Sequence, residues 1–167
     1  MISKAVQEGI NRQICVELVA AYSYLAMVAH FEQKNLTGMA SWMRLQAQEE
    51  IGHAMRLFDH VLMRGGSVSL EAVDKPKSAF SSPLEVFEFA LSHEQRVTSE
   101  INELYELAVQ EKDYPTQVEL QWFITEQVEE EQSTGEVVDR LRMVGDDATG
   151  LLMMDTQLGA RKLGEEE

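Results

Sequence analysis

The chain has 167 residues, 44% hydrophobic and 26% charged, enough apolar mass for one buried core and too much for wholesale disorder. Fourteen basic against 29 acidic side chains leave a formal charge of −15, which argues against a basic face for nucleic acid or an anionic membrane. The single cysteine, Cys15, excludes an internal disulfide and reads as core filler in a reducing compartment.

Residues 1–9 carry Lys4 and Glu8 and no apolar h-region, and no stretch approaches the roughly eighteen uninterrupted apolar residues of a spanning helix. A cytoplasmic, soluble protein without a membrane segment is expected. The first predicted element is a helix over 3–33, in which Val6, Ile10, Ile14, Leu18, Ala21, Leu25 and Val28 recur at spacings of three and four. Lys34 and Asn35 break the pattern. A second helix over 36–64 carries Met39, Met43, Ala47, Ala54, Leu57, Val61 and Leu62 before Gly65 and Gly66 stop it. So short a break implies an antiparallel hairpin.

The polar connection from Gly66 to Ser81 spans about 50 Å when extended, against about 43 Å for the second helix. It is long enough to return along the bundle, so that helices two and three run parallel. Ser82-Pro83-Leu84-Glu85 opens a third helix, over 82–110, with a serine cap, proline at the first helical position and a glutamate three after the cap. Asp113-Tyr114-Pro115 makes the next turn, and the fourth helix runs over 115–144 to Gly145. A short fifth helix over 148–162 precedes Gly164 and a frayed tail of three glutamates. The expected fold is all-α: one domain over 1–167, a four-helix bundle with a long crossover between helices two and three and a short C-terminal helix.

An internal echo carries the chemistry. Glu17 and Glu50 lie 33 positions apart on the first hairpin, and Glu94 and Gln127 lie 33 apart on the second. An offset of 77 maps Glu17 onto Glu94, Glu49 onto Glu126, Glu50 onto Gln127 and His53 onto Glu130. All four key positions fall near mid-helix, within apolar stripes, so the core is interrupted four times at one level. Buried unpaired carboxylates cost several kcal/mol each and need cations or protons. Glu50 and His53, three apart on one helix face, can present a carboxylate and an imidazole to one ion. With a glutamate from each partner helix this is the donor set of a carboxylate-bridged metal pair, suited to iron or manganese.

On these residues, together with Tyr24, Trp122 and Glu129, the sequence resembles the ferritin family, and the haem-free bacterial ferritins in particular, over essentially its whole length. The resemblance implies a ferroxidase centre. Glu17, Glu50 and His53 would hold one iron, Glu50 would bridge, and Glu94 with Glu130 would hold the second, with Gln127 beside them. It implies a third iron site from Glu49, Glu126, Glu129 and Glu130, and a homo-oligomeric cage of 24 subunits storing a ferric mineral. Fe(II) and dioxygen or hydrogen peroxide would be its partners. Tyr24, a heptad from Glu17, would donate an electron and proton or hold a ligand; Trp122 either assists in that way or packs.

The second hairpin offers Gln127 and Glu130 where a repeated E-x-x-H would stand, which points to turnover of iron towards storage rather than a firmly held cofactor. Ile51 stands where bacterioferritins place a haem-ligating methionine, so no haem is expected. His30, His60 and His93 read as ordinary histidines. Gln117 and Leu120 stand where animal ferritins line an iron channel with acids, leaving Glu119 or Asp113 as substitutes or another pore. Two other readings stay open on the residues alone: a di-iron oxygenase acting on an organic substrate, and a helical interaction module without enzymatic activity.

Overall fold

The helices begin where short polar side chains satisfy backbone N–H groups that have no partner in the first turn. In the computed structural model, which describes residues 1–162, Ser3 accepts from the Val6 amide at 3.3 Å and opens α1 (Lys4–Gln33). Ser82 accepts from the Glu85 amide at 3.1 Å and opens α3 (Pro83–Gln110). Asp113 accepts from the Thr116 amide at 3.3 Å, so α4 (Tyr114–Val144) starts one residue before the expected position. Asp147 caps α5 (Ala148–Leu158) through the amides of Thr149 and Gly150 at 3.2 and 3.0 Å.

α2 (Thr37–Met63) has Leu36 at its cap position and no capping side chain of its own. Asp155 of α5 supplies it, its Oδ1 accepting from the Met39 amide at 2.8 Å. Close approach is possible because a Cβ on Gly38 would lie 1.7 Å from the Asp155 carbonyl oxygen. Gly159, whose own Cβ would come within 3.0 Å of the Gly38 Cα, ends α5 here rather than at the expected residue 162. The expected frayed glutamates and Gly164 lie outside the described residues.

Side-chain pairs between helices fix the topology. Gln46 with Glu130, Arg56 with Glu119, His60 with Thr116 and Arg64 with Asp113 place α2 antiparallel to α4. Thr98 with Glu131 and Glu88 with Arg142 place α3 antiparallel to α4, so α2 and α3 run parallel. The crossover touches α1 near its start, where Ser67 meets Gln7 and Asn11, and near its end, where the Phe80 ring packs on His30. It therefore travels the length of the bundle as expected, and no strand occurs among the described residues.

Two apolar clusters fill the interior. One includes Phe31, Met39, Met43, Phe87 and Leu141, and the other Ile10, Ile14, Leu57, Ile101, Leu120 and Phe123. Between them lies a layer of buried polar side chains. The stripe of α1 that faces this interior is Ile10, Glu17, Tyr24 and Phe31, whereas Leu25, expected in the core, is exposed and Leu18 is half-buried. Each lies one residue, or about 100°, round from Tyr24 or Glu17. Leu62 is likewise exposed beside buried Val61, and Cys15 is half-buried rather than in the core. α1 is long and apolar enough to cross a membrane, with an 18-residue window of mean hydropathy 1.6, half of which is buried inside the bundle.

Candidate metal centre

The polar layer contains Glu17, Glu50, His53, Glu94, Gln127 and Glu130, one or two from each of the four long helices, all buried. Glu17, Glu50 and His53 each offer a ligand atom within 4.8 Å of the others, and no other trio of His, Cys, Asp or Glu does so among the described residues. Within the trio, His53 Nδ1 stands 3.3 Å from Glu50 Oε2, as the spacing of three on one helix dictates. Gln13, one turn before Glu17, donates to its Oε1 at 2.8 Å, while Glu17 Oε2 is buried with no hydrogen-bond partner. A bare, inward carboxylate oxygen beside an imidazole is the donor chemistry of a metal site.

The other half is differently furnished. Tyr24 donates its hydroxyl to Glu94 Oε1. Gln127 Nε2 donates to the Glu94 carbonyl at 3.2 Å and faces Glu94 Oε2 at 3.4 Å. Gln127 thus presents its amide N–H groups to Glu94. Glu130 accepts from Gln46 Nε2 at 2.6 Å. Glu94 and Glu130 lie in the same layer as the trio, and the charge of each acts on Glu50.

The electrostatics follow from burial of like charges. Desolvation raises Glu17, and desolvation with the charges of Glu94, Glu17 and Glu130 pushes Glu50 well above the usual carboxylate range. Burial lifts Glu94 to about 7 against the lowering effect of the Tyr24 hydroxyl. Burial and the Glu94 charge lift Glu130 to about 8. Burial, with Arg56 nearby, holds His53 down at about 4, leaving it a neutral imidazole at neutral pH. Gln13, His53, Tyr24, Gln127 and Gln46 are hydrogen-bond partners of the four carboxylates and are neutral, while the Arg161 charge lowers Glu130 against burial. A cation would relieve a repulsion that protons otherwise neutralise.

Around this layer the remaining expected residues fall into place unevenly. Glu49, Glu126 and Glu129 are half-buried; burial, with the charges of Glu129 and Glu49, raises Glu126, and Glu49 adds to the burial that raises Glu130. They flank Glu130 without meeting the ligand distance of the trio. Trp122 packs edge-on against His53, ring centroids 5.4 Å apart, and carries the Arg56 guanidinium 3.9 Å from its own centroid. His60 pairs with Thr116 at 3.0 Å, His93 accepts from Arg96 at 2.9 Å, and His30 packs on Phe31 and Phe80. Ile51 is exposed on α2.

Of the residues considered for iron uptake, Leu120 is core and Gln117 donates to the Ala108 carbonyl at 3.1 Å. Glu119 is ion-paired with Arg56, and Asp113 both caps α4 and holds Arg64 at 2.7 Å. Two buried amides were not anticipated, Gln13 and Gln46. Their signal was present, since they repeat the 33-residue offset of Glu17 and Glu50, four positions earlier on each helix.

Comparison with known proteins gives one family. The ferritin family, described as a ferritin-like domain, matches residues 7–144. A bacterial non-heme ferritin of Bacteroides fragilis (strain 638R) is 40% identical over 161 residues, spanning 96% of this chain and 100% of the relative. One of Staphylococcus aureus (strain NCTC 8325 / PS 47) is 40% identical over 166 residues, spanning 99% and 100%. Among solved structures, an open pore ferritin from the hyperthermophilic archaeon Archaeoglobus fulgidus superposes with a TM-score of 0.96 at 48% identity, over 97% of this chain and 99% of that one. A humanized archaeal ferritin gives 0.97 at 45% identity, over 99% and 100%.

Proposed function

Since the chain belongs to the ferritin family, we propose that it is an iron-storage protein whose polar layer is a ferroxidase centre, oxidising Fe(II) with dioxygen and passing Fe(III) to a mineral. The observation that carries this reading is the buried trio Glu17, Glu50 and His53, with Glu94 and Glu130 buried in the same layer. Such a set has the charge and the oxygen-rich donors for two divalent ions at about 3.5 to 4 Å, the spacing of two-metal sites.

Here Fe(II) is substrate. In the proposed arrangement Glu17 and His53 hold one ion, Glu50 bridges, and Glu94 and Glu130 hold the other. Two ferrous ions give up two electrons, which with two protons reduce dioxygen to the level of hydrogen peroxide. The chain supplies neutralisation and positioning: carboxylates favour the ferric product, and Tyr24 holds Glu94 by its hydroxyl. Metal loading displaces protons from Glu50, Glu94 and Glu130, because a carboxylate must be ionised to ligate. Gln127 orients Glu94, and Glu49, Glu126 and Glu129 form the third iron position beside Glu130.

Further parts of the reading concern assembly and setting. Tyr22, Leu25, Ile51, Met55 and Leu62 leave apolar side chains outside on α1 and α2, which supports association of copies of this chain. A cytoplasmic homo-oligomer of 24 subunits, with no haem, nucleic acid or membrane, is the proposed state. The apolar character of α1 then serves the bundle core.

Aerobic addition of Fe(II) tests this. A stoichiometric oxidation burst followed by a soluble iron core is expected, and Glu94→Ala should suppress the burst. Oxidation without a core would point to an oxygenase on an organic substrate, and no burst at all would leave a helical interaction module. An unchanged burst in Glu94→Ala would overturn the site assignment.

A further inference from the structure

Beyond the end of α5 the chain turns back onto α2 and brings one basic side chain to the edge of the polar layer. Arg161 Nη2 donates to Glu49 Oε2 at 2.9 Å, and Nη1 donates to Gln46 Oε1. Gln46 passes this on, its Nε2 donating to Glu130 Oε2 at 2.6 Å. The guanidinium also stands 5.0 Å from the centroid of the Trp42 ring. Arg161 and Glu49 side chains are each only 18% exposed, so the pair is partly desolvated and its contact is worth more than a surface ion pair.

The placement is built rather than incidental. Asp155 caps α2 through Met39, and Gly38 and Gly159 let α5 lie against the start of α2. The path from Gly159 to Arg161 then leaves the guanidinium over the turn of α2 that carries Gln46 and Glu49. A guanidinium is charged at every accessible pH and cannot step aside by losing a proton.

We propose that Arg161 is a tethered counter-cation that closes the position flanked by Glu49, Glu126, Glu129 and Glu130, so that a third metal ion binds there only by displacing it. This rests on the metal-centre reading above. Metal ion and guanidinium compete for the Glu49 carboxylate and, through Gln46, for Glu130. Occupancy of the third position is therefore linked to undocking of the C-terminal segment, and by reciprocity docking of that segment weakens the third ion. Arg161 acts here as a positioning and selectivity residue, since it touches ligands and no reacting atom.

Equilibrium titration of the whole protein with Zn²⁺ alone, a redox-silent probe, separates the possibilities. Wild type should bind two tighter equivalents per subunit and a weaker third. Arg161→Ala and Arg161→Gln should tighten the third by about tenfold, within the usual range of coupling between linked sites, and leave the first, held by Glu17, Glu50 and His53, unchanged. Arg161→Lys, which keeps the charge, should keep the third weak. Arg161→Gln retains a planar polar group, so it reports even where the alanine variant unfolds. A third equivalent that is unchanged or weakened in both neutral variants, with the first intact, would overturn the role of Arg161 alone. Absence of any tight equivalent in wild type would overturn the metal centre and this inference together.

Discussion

The two hairpins contribute unequal halves to one layer. α1 and α2 bring Glu17, Glu50 and His53 to mutual ligand distance, with one carboxylate oxygen of Glu17 left bare. α3 and α4 bring Glu94 and Glu130, each already engaged by neutral donors: Tyr24 and Gln127 on the first, Gln46 on the second. The first half keeps a single neutral donor, Gln13 on Glu17, and adds the imidazole of His53. The second has three neutral donors on its carboxylates and no imidazole, so a cation there displaces more hydrogen bonds. A pair of sites so built should bind its two ions with different affinity and release the second more readily, which suits a site that passes iron onward.

The sharpest way to break this asymmetry is to remove one residue from each half. His53→Ala deletes the only imidazole of the layer, and its tighter Zn²⁺ equivalent should weaken on the order of a hundredfold, about 3 kcal/mol. Gln127→Ala removes only a neutral donor to Glu94 and should change affinity by a few-fold, about 1 kcal/mol. Equal losses in the two variants, measured by competitive titration against a chelator, would show that the halves are equivalent.

A smaller effect should appear in the pH dependence of stability without metal. Glu94 and Glu130 are raised in the folded protein to about 7 and about 8 from an ordinary 4.5, so the folded state holds protons the unfolded state has released. The stability they contribute is present below pH 4.5 and is lost as pH rises through those values. His53 and His93, lowered to about 4 from 6.5, act oppositely: their contribution is present above pH 6.5 and lost on acidification. The two effects oppose one another between about pH 4.5 and 6.5, and the carboxylates alone act above it. Metal-free protein should therefore lose about 2 kcal/mol between pH 6.5 and 8 in denaturant unfolding. Saturating Zn²⁺ should reverse the slope, because ligation favours the ionised carboxylates. A flat profile in both states would mean that Glu94 and Glu130 do not hold protons in the empty site.

Much of this was legible in the residues, for identifiable reasons. Pro83 after Ser82, the paired Gly65 and Gly66, and the polar run up to Ser81 mark helix ends by local chemistry alone, and the observed ends fall within two residues of those marks. Glu17 was legible because a heptad stripe of Ile10, Tyr24 and Phe31 left it no outward direction. Leu25 and Leu62 were misplaced because an apolar side chain at helical spacing fits either the core or an outer face, and spacing does not say which. The end of α5 was misplaced for a tertiary reason, since Gly159 stops the helix against Gly38, more than a hundred residues away. Arg161 was invisible for the same reason: nothing local marks a basic residue near a chain end as the neighbour of Glu49.

An effect as small as that of Gln127 belongs to Tyr24, which joins the two halves by donating from α1 to Glu94 on α3. The hydroxyl lowers Glu94 against burial, so Tyr24→Phe should raise Glu94 further and make its deprotonation on metal binding costlier. One charge-assisted hydrogen bond of this kind is worth roughly 1.5 to 3 kcal/mol when the carboxylate is ionised and less when it is protonated. The ring is fully buried and phenylalanine keeps its volume, so the fold should survive. The second Zn²⁺ equivalent should weaken by about threefold to tenfold, and the first, held by Glu17, Glu50 and His53, should not move. A loss falling on the first equivalent would place Tyr24 with the other half of the site. A slowed later phase of Fe(II) oxidation with unchanged Zn²⁺ affinity would instead mean that the hydroxyl serves electron or proton delivery and leaves the holding of Glu94 to Gln127.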